Sequence, residues 1–139
     1  MRVVLDTNVL VSALLVETSL PAKLIVHWRQ GRFILLTAEP QLDELRRVTR
    51  YPKLRERLKP ALAGRLVNEL REVAQLVQSL PVVEASPDPY DNYLLSIAAG
   101  GQADVLVTGD KPDLLALGRY DRTQIVTVRE FMSLARLPS

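Results

Sequence analysis

Short apolar runs that stop abruptly at polar residues constrain the fold of this sequence more than any other feature. Four such runs lie at residues 3–5, 33–36, 105–107 and 125–128, and a weaker fifth candidate lies at residues 81–83. Runs of this length are typical of strands that are buried on both faces, as in parallel sheets. The pattern therefore predicts a parallel sheet whose strands end at a polar edge.

Segments with helical periodicity separate these runs. Leucine and valine recur every three or four residues over residues 61–80, and a narrower apolar stripe spans residues 38–49. Asp88-Pro89 has the pattern of a helix N-cap followed by proline, so we predict a helix that runs to Gly100-Gly101. Strands that alternate with helices, without hairpin signals, predict an α/β fold with a parallel sheet covered on both faces.

Length and composition limit the organisation and chemistry of the chain. With 139 residues it is expected to form a single domain, residues 1–139. It has no cysteine and one histidine, which excludes disulfides, thiolate metal sites and multi-histidine zinc sites. The apolar runs are far shorter than the roughly 20 residues that span a bilayer, and no signal-peptide pattern opens the chain. We therefore expect a cytoplasmic protein without membrane contact.

Two carboxylates follow predicted strands. Asp6 ends the first apolar run, and Asp110 lies three residues after Val107. Ligands of open parallel sheets bind beyond the carboxyl ends of the strands, so both side chains are expected at that edge. A structural explanation also exists for each, because Asp6 suits a helix N-cap and Asp110 suits a turn.

Two further acids lie on predicted helices. Asp91 leads the apolar stripe of its helix, which directs its carboxylate towards the sheet, although its position also suits a capping box. Glu44 flanks the apolar stripe of residues 38–49 and can reach the sheet edge, or it is an ordinary surface glutamate. The neighbouring Asp43 points nearly opposite to that stripe and is expected to be solvated.

Carboxylates that converge on one crevice repel each other unless they are protonated or neutralised by a cation. Because cysteine and histidine ligands are lacking, an all-oxygen site suits Mg²⁺ or Mn²⁺. Such ions activate water and offset the charge on a reacting phosphodiester. The four acids thus favour metal-dependent chemistry on a phosphodiester.

Several separated motifs resemble the PIN-domain family in their order and spacing. They lie at residues 2–15, 42–48, 88–95 and 106–115, and residues 125–131 resemble the closing strand and helix of that family. The resemblance covers essentially the whole chain. Within the family, the chain is similar to VapC-like toxin components of type II toxin–antitoxin systems.

The resemblance implies a PIN-like three-layer α/β/α sandwich with a five-stranded parallel sheet. It also implies an Mg²⁺- or Mn²⁺-dependent endoribonuclease that acts on RNA through metal-activated water, with a cognate antitoxin and a second copy of the chain as partners. The family's catalytic and metal-binding acids fall on Asp6, Glu44, Asp91 and Asp110, with Asn8, Thr108 and Asp113 as supporting residues.

Two positions depart from the family pattern. Pro112 stands between Lys111 and Asp113, where relatives commonly run Asp-Lys-Asp-Leu-Leu. Tyr90 stands where another acid is common, so the site is expected to be less acidic than those of some relatives.

Basic residues are concentrated in residues 46–65, which contain eight of them against one acid. The segment begins two residues after Glu44, beside the predicted crevice. Basic side chains there would contact RNA phosphates without reading bases; a solvated helix surface is the alternative. The predicted RNA-binding residues are Arg46, Arg47, Arg50, Lys53 and Arg55.

Other classes of function fit parts of this pattern. Residues 109–113 are similar to the acidic motif of haloacid-dehalogenase-like phosphatases, but those enzymes place a second aspartate where this chain has Asn8. A receiver domain would use Thr108 and Lys111, yet the phosphoacceptor aspartate of a middle strand is missing. Both predict an aspartyl phosphate. A non-catalytic RNA-binding module is the third alternative, which an assay of metal-dependent RNA cleavage distinguishes.

Overall fold

The strands form one sheet at the centre of the molecule. The computed structural model describes residues 1–109 and 111–139. The strands are β1 (Arg2–Leu5), β2 (Ile34–Thr37), β3 (Gln75–Leu76), β4 (Val105–Thr108), β5 (Arg119–Tyr120) and β6 (Thr123–Thr127). The sheet order across the described residues is β3-β2-β1-β4-β6-β5, and every neighbouring pair is parallel except β5 with β6.

Helices cover both faces of the sheet, which confirms the predicted α/β/α sandwich. Alternation along β1 creates two cores, because Val3 and Leu5 face one helical layer and Val4 faces the other. The helices are α1 (Thr7–Leu15), α2 (Leu20–Arg29), α3 (Glu39–Val48), α4 (Pro52–Arg55), α5 (Pro60–Val73), α6 (Pro89–Gly100), α7 (Pro112–Leu117) and α8 (Val128–Leu134). The first layer contains α1, α2, α3, α5 and α8, and the second contains α6 and α7.

The fifth parallel strand is not where the sequence pattern placed it. Residues 81–83 form no strand, and Val82 is 88% exposed. The strand at that edge is β3, because the predicted helix over residues 61–80 ends at Val73. Beyond that point the chain crosses the sheet, so that Ala74 packs in the first core and Val77 packs in the second. Val77 therefore continues the helical spacing of the apolar residues in α5 only by coincidence.

A sixth strand makes the sheet mixed, where an all-parallel sheet of five strands was predicted. β5 pairs antiparallel with β6, with Arg119 opposite Gln124 and Tyr120 opposite Thr123. The two strands are joined at Asp121, whose φ is 55°. The sequence lacks the Asn-Gly or Asp-Gly signal of such hairpins, so the pattern did not indicate this pair.

The two helices that follow β1 are largely apolar. Val9 and Leu10 of α1 and Leu24 of α2 are buried in the first core. No single helix among residues 1–109 and 111–139 is long and apolar enough to cross a membrane. Only α1 and α2 taken together reach that length and composition, and they are bent by 101° relative to each other.

Candidate active site

The carboxyl ends of β1 and β4 bring Asp6 and Thr108 together. The strands are adjacent, and the hydrogen bond from the Asp6 backbone N–H to the Val107 carbonyl (2.9 Å) continues their ladder. Both side chains are 0% exposed. The Thr108 hydroxyl donates to Asp6 Oδ2 at 2.9 Å, so the strand ends position this carboxylate.

Two more donors engage the other oxygen of Asp6. The Asn8 backbone N–H and the Tyr90 hydroxyl each donate to Oδ1 at 3.0 Å, and the first of these bonds caps α1. A carboxylate oxygen accepts about two hydrogen bonds, so Oδ2 is the atom with a lone pair that no described residue fills. Burial and the negative charge of Asp6 raise the pKa of Tyr90, which keeps its phenol a donor.

Asp91 lies on the first turn of α6 and is 1% exposed. Its Oδ2 accepts from the Ser86 hydroxyl at 3.0 Å, whereas Oδ1 has no hydrogen-bond partner among the described residues. Burial raises the pKa of the Asp91 carboxyl, and the Ser86 hydroxyl opposes that shift. Asp88 is the helix cap and accepts from the Tyr90 backbone N–H at 2.9 Å. The Asp88 backbone N–H donates to the Ser86 hydroxyl oxygen at 3.3 Å and not to Asp91, so the capping-box alternative for Asp91 is not formed.

The ammonium of Lys111 faces this first turn of α6. Its Nζ lies 3.9 Å from Asp91 Oδ1, 3.9 Å from Asp88 Oδ2 and 4.0 Å from the centroid of the Tyr90 ring. These separations are too long for hydrogen bonds, so the cation offsets the acidic charge only through space.

A polar cleft of about 370 Å³ opens beside these groups. The exposed residues Asn8 and Asp113 line it together with Asp91 and Lys111. Pro112 is the first residue of α7, where a proline is readily accommodated, and Asp113 lies in the first turn of that helix. The departure at Pro112 therefore leaves Asp113 in the same cleft as Asp91.

Glu44 lies on α3 and is partly buried, whereas Asp43 is exposed and lies 3.9 Å from Arg46 Nη1. Burial is the main cause that raises the pKa of Tyr93, and the negative charge of Glu44 is the next. The same charge also contributes to the raised pKa of Tyr90. Glu44 thus lies near Tyr90 and Tyr93. It is not among the residues that line the cleft of Asp91.

The predicted quartet is brought together only in part. The described residues contain no group of three acidic or histidine side chains positioned to hold a metal ion. Asp110, the fourth predicted acid, lies outside the described residues. The buried oxygen of Asp91 that lacks a hydrogen bond and the all-oxygen donor set nevertheless fit a hard cation such as Mg²⁺.

Three side chains that shape this site were not predicted from the sequence. Tyr90 holds Asp6, Ser86 holds Asp91, and Lys111 faces Asp91. The presence of Tyr90 where relatives commonly have an acid was the one sequence signal for its role. The hydrogen bond from its hydroxyl to Asp6 was not predictable.

The Tyr90 hydroxyl is expected to stabilise the buried charge of Asp6. Tyr90→Phe removes one donor to this carboxylate and should lower the free energy of unfolding by about 1.5 kcal/mol, the scale of a hydrogen bond to a charged group. Chemical denaturation measures this change. Tyr51→Phe is the control because Tyr51 is 49% exposed, and an equal loss in both variants would contradict the role of the Tyr90 contact.

The basic segment forms a groove away from this cleft. Arg46, Arg50 and Arg55 line it, with Thr49 and Gly64 among the other residues, and its volume is about 330 Å³. Arg47 and Lys53 are exposed but are not among its lining residues. The groove lies between α3, α4 and α5.

The fold and the site together define an α/β protein with a buried, acidic strand edge and a separate basic groove. The chain matches the family model described as PIN domain over residues 2–112. It therefore belongs to the PIN-domain family, whose members are generally nucleases. No curated protein and no solved structure gives a significant match.

Proposed function

We propose that the chain is an endoribonuclease that depends on Mg²⁺ or Mn²⁺ and uses Asp6, Glu44, Asp91 and Asp110. Family membership supports a nuclease. The observation that most directly supports the metal is Asp91 Oδ1, a buried carboxylate oxygen without a hydrogen bond from the described residues. Leaving such an oxygen unpaired is costly, and a bound cation would remove that cost.

The residues of the site would have different roles. Asp91 would bind the cation through Oδ1, and Asp6 through the unused lone pair of Oδ2, with Glu44 and Asp110 as the remaining proposed ligands. When bound, the cation would lower the pKa of a water molecule and offset charge on the phosphodiester. Thr108 and Tyr90 hold the Asp6 carboxylate in one orientation.

Cleavage of a mixed RNA tests this proposal. We expect cleavage with Mg²⁺ or Mn²⁺, its loss in excess EDTA, and its return when the metal is restored. Cleavage that persists in EDTA would contradict a metal-dependent mechanism. Binding without cleavage under all three conditions would favour the RNA-binding module instead.

The phosphatase and receiver alternatives require an aspartate that attacks phosphorus. For the phosphatase this would be Asp6, which is 0% exposed and accepts three hydrogen bonds, an unfavourable setting for a nucleophile that must reach a phosphate. The receiver alternative lacks its middle-strand aspartate. Beryllofluoride, which mimics an aspartyl phosphate, is expected not to bind. A stoichiometric beryllofluoride complex would overturn the hydrolase proposal in favour of these alternatives.

RNA binding is proposed for Arg46, Arg47, Arg50, Lys53 and Arg55. Replacement of Arg46, Arg50 and Arg55 by glutamine should weaken binding of unrelated RNA sequences alike. With single-stranded RNA, the slope of log affinity against log salt should flatten by about 0.7 for each phosphate that the variant no longer neutralises. Titrations at several salt concentrations measure both effects.

A matched variant separates this effect from net charge. Arg119, Arg129 and Arg136 are also exposed, and their replacement by glutamine removes the same three charges elsewhere. We expect that variant to retain the wild-type salt slope. Equal slopes in both triple variants would contradict RNA binding by the basic segment and would favour an ordinary solvated surface.

We further propose that the cellular role is that of a toxin component of a toxin–antitoxin system, acting in the cytoplasm. The proposal rests on the similarity of the chain to VapC-like toxins. Expression should arrest growth, Asp6→Asn should not, and co-expression of the adjacent upstream reading frame should relieve the arrest. Light scattering of the purified protein tests the proposed homodimer.

A further inference from the structure

Lys111 provides a positive charge within the acidic site itself. It lies between β4 and α7, and its side chain is 24% exposed. Its ammonium faces the carboxylates of Asp88 and Asp91 and lies over the face of the Tyr90 ring, which also attracts a cation. Both carboxylates and the ring belong to the first turn of α6 and its cap.

The ammonium lies close to the place where the proposed metal would bind, so the two positive charges would repel each other. Mg²⁺ binds a carboxylate oxygen at 2.0–2.1 Å. The ammonium lies 3.9 Å from Asp91 Oδ1, the same oxygen that would bind the metal. Two cations so close together repel each other, and the repulsion is stronger in a partly buried site than in water.

We infer that Lys111 is an internal counter-ion that competes with the divalent cation for the Asp91 carboxylate. Without metal, the ammonium offsets the buried charge of Asp91 without filling the lone pairs of Oδ1. A bound divalent cation would displace the ammonium from Asp91. The inference rests on the proposed function, since it concerns the affinity of that site for its metal.

Calorimetric titration of the full chain with Mg²⁺ tests the competition without any RNA. Lys111→Met should bind Mg²⁺ about tenfold more tightly than the wild type, which corresponds to about 1.4 kcal/mol. Lys111→Arg retains the charge and should stay within about twofold of the wild type. Thermal melting in EDTA should show a lower melting temperature for Lys111→Met, because the charge of Asp91 is then uncompensated.

Lys59 supplies a closely matched control. Lys59 and Lys111 are both N-cap residues that precede a proline at the start of a helix, and neither side chain makes a capping hydrogen bond. Lys59→Met therefore removes the same charge from the same kind of position, away from the cleft of Asp91. Its Mg²⁺ affinity should equal that of the wild type.

The outcomes separate this inference from the proposed function. If Lys111→Met binds Mg²⁺ as tightly as the wild type or more weakly, the competition is overturned but the proposed metal site is retained. Equal tightening in Lys59→Met would show an effect of net charge alone and would also overturn it. No Mg²⁺ binding by the wild type or any variant would overturn the proposed metal site and the competition together.

Discussion

Asp6→Asn is expected to lower the rate of RNA cleavage by at least 10²-fold. Asparagine has nearly the same size and still accepts hydrogen bonds from Tyr90 and the Asn8 backbone, so the fold should be retained. The substitution removes a negative charge that would hold the proposed cation, which in turn offsets the charge on the phosphodiester. Losses of such electrostatic stabilisation act on this scale. Initial rates in saturating Mg²⁺, with a melting curve to verify folding, measure the effect.

Asp43→Asn is the control for this experiment. Asp43 is exposed, and its ion pair with Arg46 at 3.9 Å is long and solvated, so the substitution should leave the rate nearly unchanged. Glu44→Gln, one residue along α3, should lower the rate. Equal losses from Asp43→Asn and Glu44→Gln would contradict the assignment of Glu44, and not Asp43, to the site.

Asp91→Asn is expected to raise the melting temperature of the metal-free protein. The substitution removes a buried charge, as the raised pKa of this carboxyl indicates, and asparagine still accepts from the Ser86 hydroxyl. The cap of α6 is Asp88, so it remains intact. Mg²⁺ at about 100 times its dissociation constant should stabilise the wild type by about 2.7 kcal/mol, which is on the order of 10 °C at this chain length.

The variant should lose most of this metal-dependent increment. Thermal melts of both proteins in EDTA and in Mg²⁺ provide the four temperatures needed. If Asp91→Asn melts lower than the wild type in EDTA and gains equally from Mg²⁺, Asp91 has a structural role and is not a ligand. Asp104→Asn is a useful comparison, since this acid is paired with Arg122 and the Arg2 backbone far from the cleft.

Most of the sheet was predictable because the strands are short and buried on both faces. The apolar runs that became β1, β2, β4 and β6 differ from the surrounding helical patterns in both length and abrupt ending. β3 was not predictable, because Val77 continues the spacing of α5 while it packs on the opposite side of the sheet. The β5–β6 hairpin was missed because Asp121 reaches positive φ without a neighbouring glycine.

The candidate site was predictable where a residue's position follows from a strand end. Asp6 belongs to that class, and its burial follows from β1 lying between β2 and β4. Its contact with Tyr90 joins residues 84 apart and depends on the rotation of α6 relative to β1, which no local pattern encodes. The same holds for Lys111, whose three partners depend on how β4 and α6 are packed.

The two sides of the site are anchored differently, and this has a consequence for its motions. Asp6 directly follows β1 and Thr108 is the last residue of β4, so both are held by the end of the central β1–β4 ladder. Tyr90 and Asp91 instead occupy the opening turn of α6. Helix termini fray more readily than central strands, so slow amide hydrogen exchange is expected at Leu5 and Val107 and faster exchange in the opening turn. Fluctuations of that single turn would then govern how often the Asp91 carboxylate is accessible to ions from solution.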